Sequence, residues 1–157
     1  MQPSIVTKDE IKLIGLEIRT INQQEMDPTT AKIPKLWERF FAEEIAEKIP
    51  NRTDAGTLLG TYTNYLSDHT DEYSLIVGAA VNSLDEIPEG MTGLTIAPAK
   101  YLVFPVEGEM PQALGEAWGY IWNYFGNGTE HERTYTADFE LYDLNNPSKV
   151  DIYIAIK

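Results

Sequence analysis

The sequence predicts an α+β domain: an antiparallel sheet with helices, built from a β-α-β-β unit used twice. Three observations carry this. Runs rich in β-branched and aromatic residues come in pairs joined by short polar turns, which is a hairpin signal. A segment with apolar residues at helical spacing precedes each pair. The order strand, helix, hairpin then recurs after a Pro/Gly-bearing connector, "SLDEIPEGMTG" at residues 83–93. The expected organisation is one domain over 1–157, with half-repeats at about 5–84 and 92–157. Duplication predicts a pseudo-two-fold axis and a central cleft where the halves meet, a common place for a ligand.

In the first half, "EIKLIGLEIR" at residues 10–19 alternates loosely and reads as a strand. In "MDPTTAKIPKLWERFFAEEIAEKIP", Ile33, Trp37, Phe40, Phe41 and Ile45 recur at helical spacing, with Asp27 or Thr29 as candidate caps. Pro34 fits the first turn, where its missing N–H costs little, and Pro50 with Asn51 marks the end. "GTLLGTYTNYLS" and "EYSLIVGAAVN" form a hairpin across "DHTD".

In the second half, "LTIAPAKYLVFPVEGE" reads as one strand, with Pro98 and Pro105 suggesting an edge or a break. "MPQALGEAWGYIWNYFG" reads as a helix with Leu114, Trp118, Ile121, Trp122 and Phe125 on one broad side, terminated by Gly126 and Gly128. "DFELYD" and "VDIYIAIK" close the chain as a hairpin. Laid over one another, Trp37 parallels Trp118 and Phe41 parallels Trp122. Aligning Tyr62 and Tyr65 with Phe139 and Tyr142 puts Thr63 in the place held by Glu140.

Charge and composition narrow the function. The formal net charge is −13, from 12 basic and 25 acidic residues, which argues against direct nucleic-acid binding. An acidic surface keeps a protein soluble, and it also draws cationic ligands toward a cleft. The absence of cysteine excludes disulfides and thiolate metal sites. No signal peptide and no apolar run of membrane-spanning length is visible, so the expected compartment is the cytoplasm, with no membrane partner. His69 and His131 fall in predicted loops without a second nitrogen ligand or a serine at useful spacing, and read as exposed loop residues. Asp68, Asp71 and Glu72 read as a polar turn, lacking the glycine and terminal glutamate of a calcium loop. No metal, cofactor or catalytic residue is assigned.

What remains is aromatic enrichment, with three Trp, nine Tyr and five Phe. Trp37, Phe41, Trp118, Trp122, Tyr65, Tyr142 and Tyr153 fall on elements expected to face inward. Buried tyrosine hydroxyls need polar partners, and a core built only for packing would favour Leu, Ile and Val. Glu140 is the distinctive residue. Alternation puts Glu140 and Tyr142 on one strand face and Phe139 and Leu141 on the other. On the closing strand, a consistent arrangement sends the isoleucines to the packed side with Phe139 and leaves Tyr153 with Glu140 and Tyr142. That shared face either meets water or lines a cleft. In a cleft, a carboxylate among aromatics has a raised pKa or a cationic partner, and aromatic faces add cation–π attraction of roughly 0.5–2 kcal/mol each.

The motifs "AWGYIWNYF", "DFELYD" and "VDIYIAIK", with "KLWERFF" in the first half, resemble the gyrase-inhibitor-like small-molecule-binding domain. That domain is also the effector-binding module of AraC-type and MerR-type multidrug regulators. The resemblance implies a central aromatic pocket for amphipathic, often cationic, molecules, with Glu140 at the position of the charge-meeting strand glutamate and Tyr153 at the closing-strand aromatic. Ala155 stands where many members have proline. No residues are left for a helix-turn-helix, so the expectation is a standalone sensor module. The expected function is binding or sequestration of aromatic cations. Two alternatives stay open: hydrolysis of reactive small molecules by the pocket Glu and Tyr, and a protein-interaction role like that of a gyrase inhibitor, with a protein partner or a homodimer.

Overall fold

A computed structural model describes residues 3–68, 70–127 and 131–157. His69 and Gly128, both invoked above, lie outside them. The strands are β1 (Ser4–Lys8), β2 (Ile11–Thr20), β3 (Thr57–Thr63), β4 (Tyr73–Val81), β5 (Thr92–Ile96), β6 (Ala99–Glu107), β7 (Ala137–Asp143) and β8 (Lys149–Ile156). The helices are α1 (Asn22–Glu25), α2 (Ile33–Ala42), α3 (Ile45–Lys48) and α4 (Gln112–Gly126). All eight strands form one sheet in the order β1-β6-β8-β7-β3-β4-β2-β5, and every pairing is antiparallel.

That order is the same read from either end if the first four strands are exchanged for the last four. The pseudo-two-fold axis therefore passes between β3 and β7. The strand lengths carry the equivalence: Thr57–Thr63 falls on Ala137–Asp143, and Ser4–Lys8 falls on Thr92–Ile96. Each half thus has a leading strand that the sequence reading did not separate. β1 pairs with β6 of the other half, and β5 pairs with β2. The break at Ala97 and Pro98 makes the exchange possible, because it divides "LTIAPAKYLVFPVEGE" into β5 and β6. Pro105 is tolerated inside β6 because β1 pairs only as far as Val103.

Helices α2 and α4 cover one face of the sheet. Leu36 and Phe40 of α2 pack on Ile14, Leu16, Leu75 and Val77, and Ala117 and Ile121 of α4 pack on Phe104, Ile152 and Ile154. The other face carries Leu13, Leu59, Tyr101, Phe139 and Tyr153, with Val6 from one edge strand and Ile96 from the other. It too is buried, so the central strands are packed on both sides. The long first-half helix is really α2 and α3, broken where Glu44 adopts a left-handed conformation at φ 52°. Neither Asp27 nor Thr29 caps α2. Asp27 instead accepts hydrogen bonds from Thr29 in a local turn, and the Glu25 carboxylate reaches over to accept from the backbone N–H of Lys32 and Ile33.

Gly15 and Gly78 face one another across β2 and β4. A Cβ at Gly15 would lie 2.1 Å from the Val77 carbonyl oxygen, and one at Gly78 would lie 2.0 Å from that of Ile14. Backbone cannot yield as a flexible side chain can. Gly15→Ala is therefore expected to cost at least the ~1–3 kcal/mol of ordinary overpacking, read as a lower melting temperature.

Candidate functional site

The site is built on the helix-covered face of the two strands at the axis. In the β3–β7 pairing, Gly60 lies opposite Glu140, Leu58 opposite Tyr142 and Tyr62 opposite Asp138. Directly paired residues share a face, so Glu140, Tyr142, Asp138, Gly60 and Tyr62 all point toward α2 and α4. Under the axis Gly60, not Thr63, takes the place of Glu140, and Tyr62 takes the place of Tyr142. The sequence alignment was displaced because Tyr62 and Tyr65 mimic the spacing of Phe139 and Tyr142, although Tyr65 lies beyond the end of β3.

Glu140 is 2 % exposed. Its carboxylate accepts hydrogen bonds from Tyr62 Oη at 2.8 Å, from Trp118 Nε1 at 2.7 Å and from the Tyr142 hydroxyl. The donors come from β3, α4 and β7, so both halves hold this one acid. The missing side chain at Gly60 makes room for it: a Cβ there would lie 3.1 Å from Glu140 Oε1 and 3.5 Å from Trp37 Cζ2. Burial pushes the Glu140 carboxyl above its ordinary range, against the opposing pull of the bonds from Tyr142, Trp118 and Tyr62. Burial first, and the neighbouring Glu140 second, hold the Tyr62 and Tyr142 phenols well above 10, so both hydroxyls remain donors at neutral pH.

The aromatic walls repeat across the axis. Trp37 meets Tyr142 edge-on at 4.9 Å between centroids, and Trp118 meets Tyr62 edge-on at 5.2 Å. Trp37 stacks on Phe41 at 5.8 Å, and Trp118 faces Trp122 at 6.4 Å. Two cavities flank the carboxylate. The larger, about 460 Å³, is lined by Trp37, Phe41, Tyr142 and Glu140 together with Met110, Leu114 and Leu144. The smaller, about 230 Å³, is lined by Trp118, Trp122, Tyr65 and Tyr73 together with Asn22, Glu25 and Arg133. Tyr62 and Ile33 stand in the walls of both.

Seven of the eight residues singled out from sequence therefore line this cleft. Tyr153 does not. β8 pairs it with Phe139, on whose ring it stacks at 4.4 Å, and this puts it on the opposite face. Ile152, paired with Glu140, takes the helix-facing side instead. The reading failed because it assumed that only one face of β8 was packed. Tyr65 enters through a second buried acid. Asp138 accepts from Tyr65 Oη at 2.6 Å, from the Arg133 guanidinium at 2.7 Å and from the Ala155 backbone N–H at 2.7 Å. The Arg133 guanidinium carbon lies 4.3 Å from the centroid of the Tyr135 ring and 5.8 Å from that of Phe125. Burial would lower the Arg133 pKa, but Asp138 and Tyr65 outweigh it and hold the guanidinium charged. Sequence reasoning missed Arg133 and Asp138, which lie close in sequence with nothing to mark them as a buried pair. It also missed Gly60, Tyr73 and Glu25. The "DFELYD" strand carries one usable signal: Asp138 shares a face with Glu140 by alternation. His131 is half-buried in a loop rather than exposed.

An aromatic cleft with a buried carboxylate at a pseudo-two-fold axis is capable of holding a small molecule. Residues 4–156 match the Cass2 family of integron-associated effector binding proteins. The chain belongs to this family. A Vibrio cholerae integron cassette protein, VCH_CASS2, is 36% identical and superposes with a TM-score of 0.84, covering 99% of this chain and 96% of that one. YobU of Bacillus subtilis (strain 168) is 28% identical over 151 residues, 93% of this chain and 92% of its own length. SAV2435, solved bound to tetraphenylphosphonium, shares the fold at a TM-score of 0.79 and 18% identity, covering 100% of this chain and 94% of that one. The Cass2-family chain is thus an effector-binding protein, and the C-terminal domain of EcmrR shares its fold at a TM-score of 0.64 and 12% identity, covering 99% of this chain and 97% of that one. Among its described residues no helix is long and apolar enough to cross a membrane.

Proposed function

We propose that this protein binds amphipathic aromatic cations in the cleft around Glu140, sensing or sequestering them. The observation that carries this is a carboxylate at 2 % exposure whose hydrogen-bond partners, Tyr62, Trp118 and Tyr142, are all neutral. A buried acid without a counter-charge is costly, and a ligand cation removes the cost. Aromatic faces on both sides supply apolar contact and cation–π attraction. The larger cavity, about 460 Å³, falls within the usual size range of small-molecule sites, and its wall is predominantly apolar. That a relative of the same fold was solved with tetraphenylphosphonium supports the choice of ligand class.

Trp37, Trp118 and Trp122 in the walls report occupancy by fluorescence. Titration with tetraphenylphosphonium is expected to quench them saturably. Triphenylphosphine oxide, similarly aromatic but neutral, is expected to bind at least tenfold more weakly, because it leaves Glu140 uncompensated. Equal affinity for the two would overturn the cation reading.

A further inference from the structure

The two cavities follow one plan. On the α2 side, Trp37 and Phe41 form an aromatic pair and Tyr142 closes the floor. On the α4 side, Trp118 and Trp122 form the pair and Tyr62 closes the floor. The plan is duplicated but the acid is not, since Gly60 occupies the place equivalent to Glu140. We propose that Glu140 serves two quasi-equivalent ligand compartments, one on each side of the axis, and that a monocation occupies only one at a time. This deepens the reading above and rests on it.

The compartments differ in what they accept. The α2-side compartment is about 460 Å³ and, although Asp143 and Lys149 join its lining, its wall is mostly apolar, with Met110, Leu114, Leu144 and Pro147, so it takes a bulky cation without hydrogen-bonding groups. The α4-side compartment is about 230 Å³ and presents Asn22, Glu25 and the tyrosines 65 and 73, while the Arg133 charge in its wall is offset by Asp138, so it takes a flat cation bearing amine donors. Glu140 reaches it through its own walls, because Tyr62 Oη and Trp118 Nε1 each lie one hydrogen bond from the carboxylate. Tyr62 and Ile33 form the partition.

Exclusivity follows from charge. A first cation neutralises Glu140. A second in the opposite compartment would meet no remaining buried charge at the axis, because Asp138 is already paired with Arg133, and Glu25 in the α4-side wall is only half-buried and already accepts from the Lys32 and Ile33 N–H. Two cations on either side of one carboxylate also repel one another across a poorly solvated partition.

The test uses two probes on the intact protein: tetraphenylphosphonium, which is bulky and has no donors, and proflavine, which is flat and carries two amines. In calorimetry each is expected to bind at one per chain, and saturation with one is expected to raise the apparent Kd of the other at least tenfold. Phe41→Ala is expected to weaken tetraphenylphosphonium about tenfold more than proflavine, and Trp122→Ala to do the reverse. The wild-type competition needs no variant, so it stands if either substitution unfolds the chain. Formation of a ternary complex with an unchanged second Kd would overturn the proposal. So would equal weakening of both probes by each substitution. If neither probe depends on Glu140, the cation reading itself falls. If both depend on Glu140 but share their aromatic determinants, only the second compartment falls.

Discussion

Glu140→Gln is expected to raise the Kd for tetraphenylphosphonium by about thirtyfold or more, the lower end of the ~2–5 kcal/mol cost of truncating one partner of a buried charge pair. The substitution keeps the shape and an acceptor oxygen for Tyr62 and Trp118, so the walls stay in place. The charge is lost, and the Tyr142 hydroxyl exchanges its carboxylate acceptor for an amide N–H from which it can accept. The pH dependence follows with a definite sign. Burial raises the carboxyl pKa in the folded, unliganded protein. Its contribution to stability is therefore fully present below the ordinary glutamate pKa and is lost as pH rises through the folded value. Cation affinity runs the opposite way: it climbs with pH, at most tenfold per unit, and levels off once Glu140 is ionised. In Glu140→Gln both slopes should flatten, and the unliganded variant should be at least as stable as wild type at neutral pH. Melting curves and titrations across the acid range check both. An unchanged Kd in Glu140→Gln would remove the residue from the site.

Asp138→Ala is expected to cost about 3–5 kcal/mol of stability, because it strands a charged guanidinium in the interior. The Arg133 and Asp138 side chains are 3 % and 0 % exposed and meet at 2.7 Å. Asp138 also holds the Tyr65 hydroxyl and the Ala155 N–H. One substitution thus leaves three donors without their acceptor. For a chain of this length the loss corresponds to a drop in melting temperature of roughly 2–4 °C per kcal/mol. The double variant Arg133→Met/Asp138→Leu should recover much of it, since apolar replacement of a whole buried pair is often neutral or stabilising. If the single variant melted like wild type, the pair would contribute nothing to the fold. Because Arg133 and Tyr65 also line the smaller cavity, proflavine binding is expected to weaken along with stability.

The helices and the acid were legible in the chain for plain reasons. Trp37 and Phe41, like Trp118 and Trp122, stand four residues apart on amphipathic helices, so each pair shares a face wherever the helix docks. Glu140 stands out because it interrupts an apolar strand, and alternation ties it to Tyr142 without further information. Tyr153 was misplaced because strand alternation says which residues share a face but not which face is which when both are buried. Thr63 was set against Glu140 because tyrosine spacing near a strand end is ambiguous by two or three residues, while cross-strand pairing is not.

Sequence alone determined the class of parts: two hairpins, two aromatic helices, an acidic chain and a glutamate out of keeping with its strand. Those are local properties, set by periodicity and side-chain type. Tertiary structure decided how the halves meet. Exchange of β1 and β5 between the halves, and the docking of β3 against β7, follow from pairings between residues 74 to 99 apart, which no local pattern encodes. That docking puts Gly60 opposite Glu140, and so sets one carboxylate on the axis between two aromatic walls. Burial there, among the neutral donors Tyr62, Trp118 and Tyr142, turns an ordinary glutamate into a carboxyl held above its usual pKa.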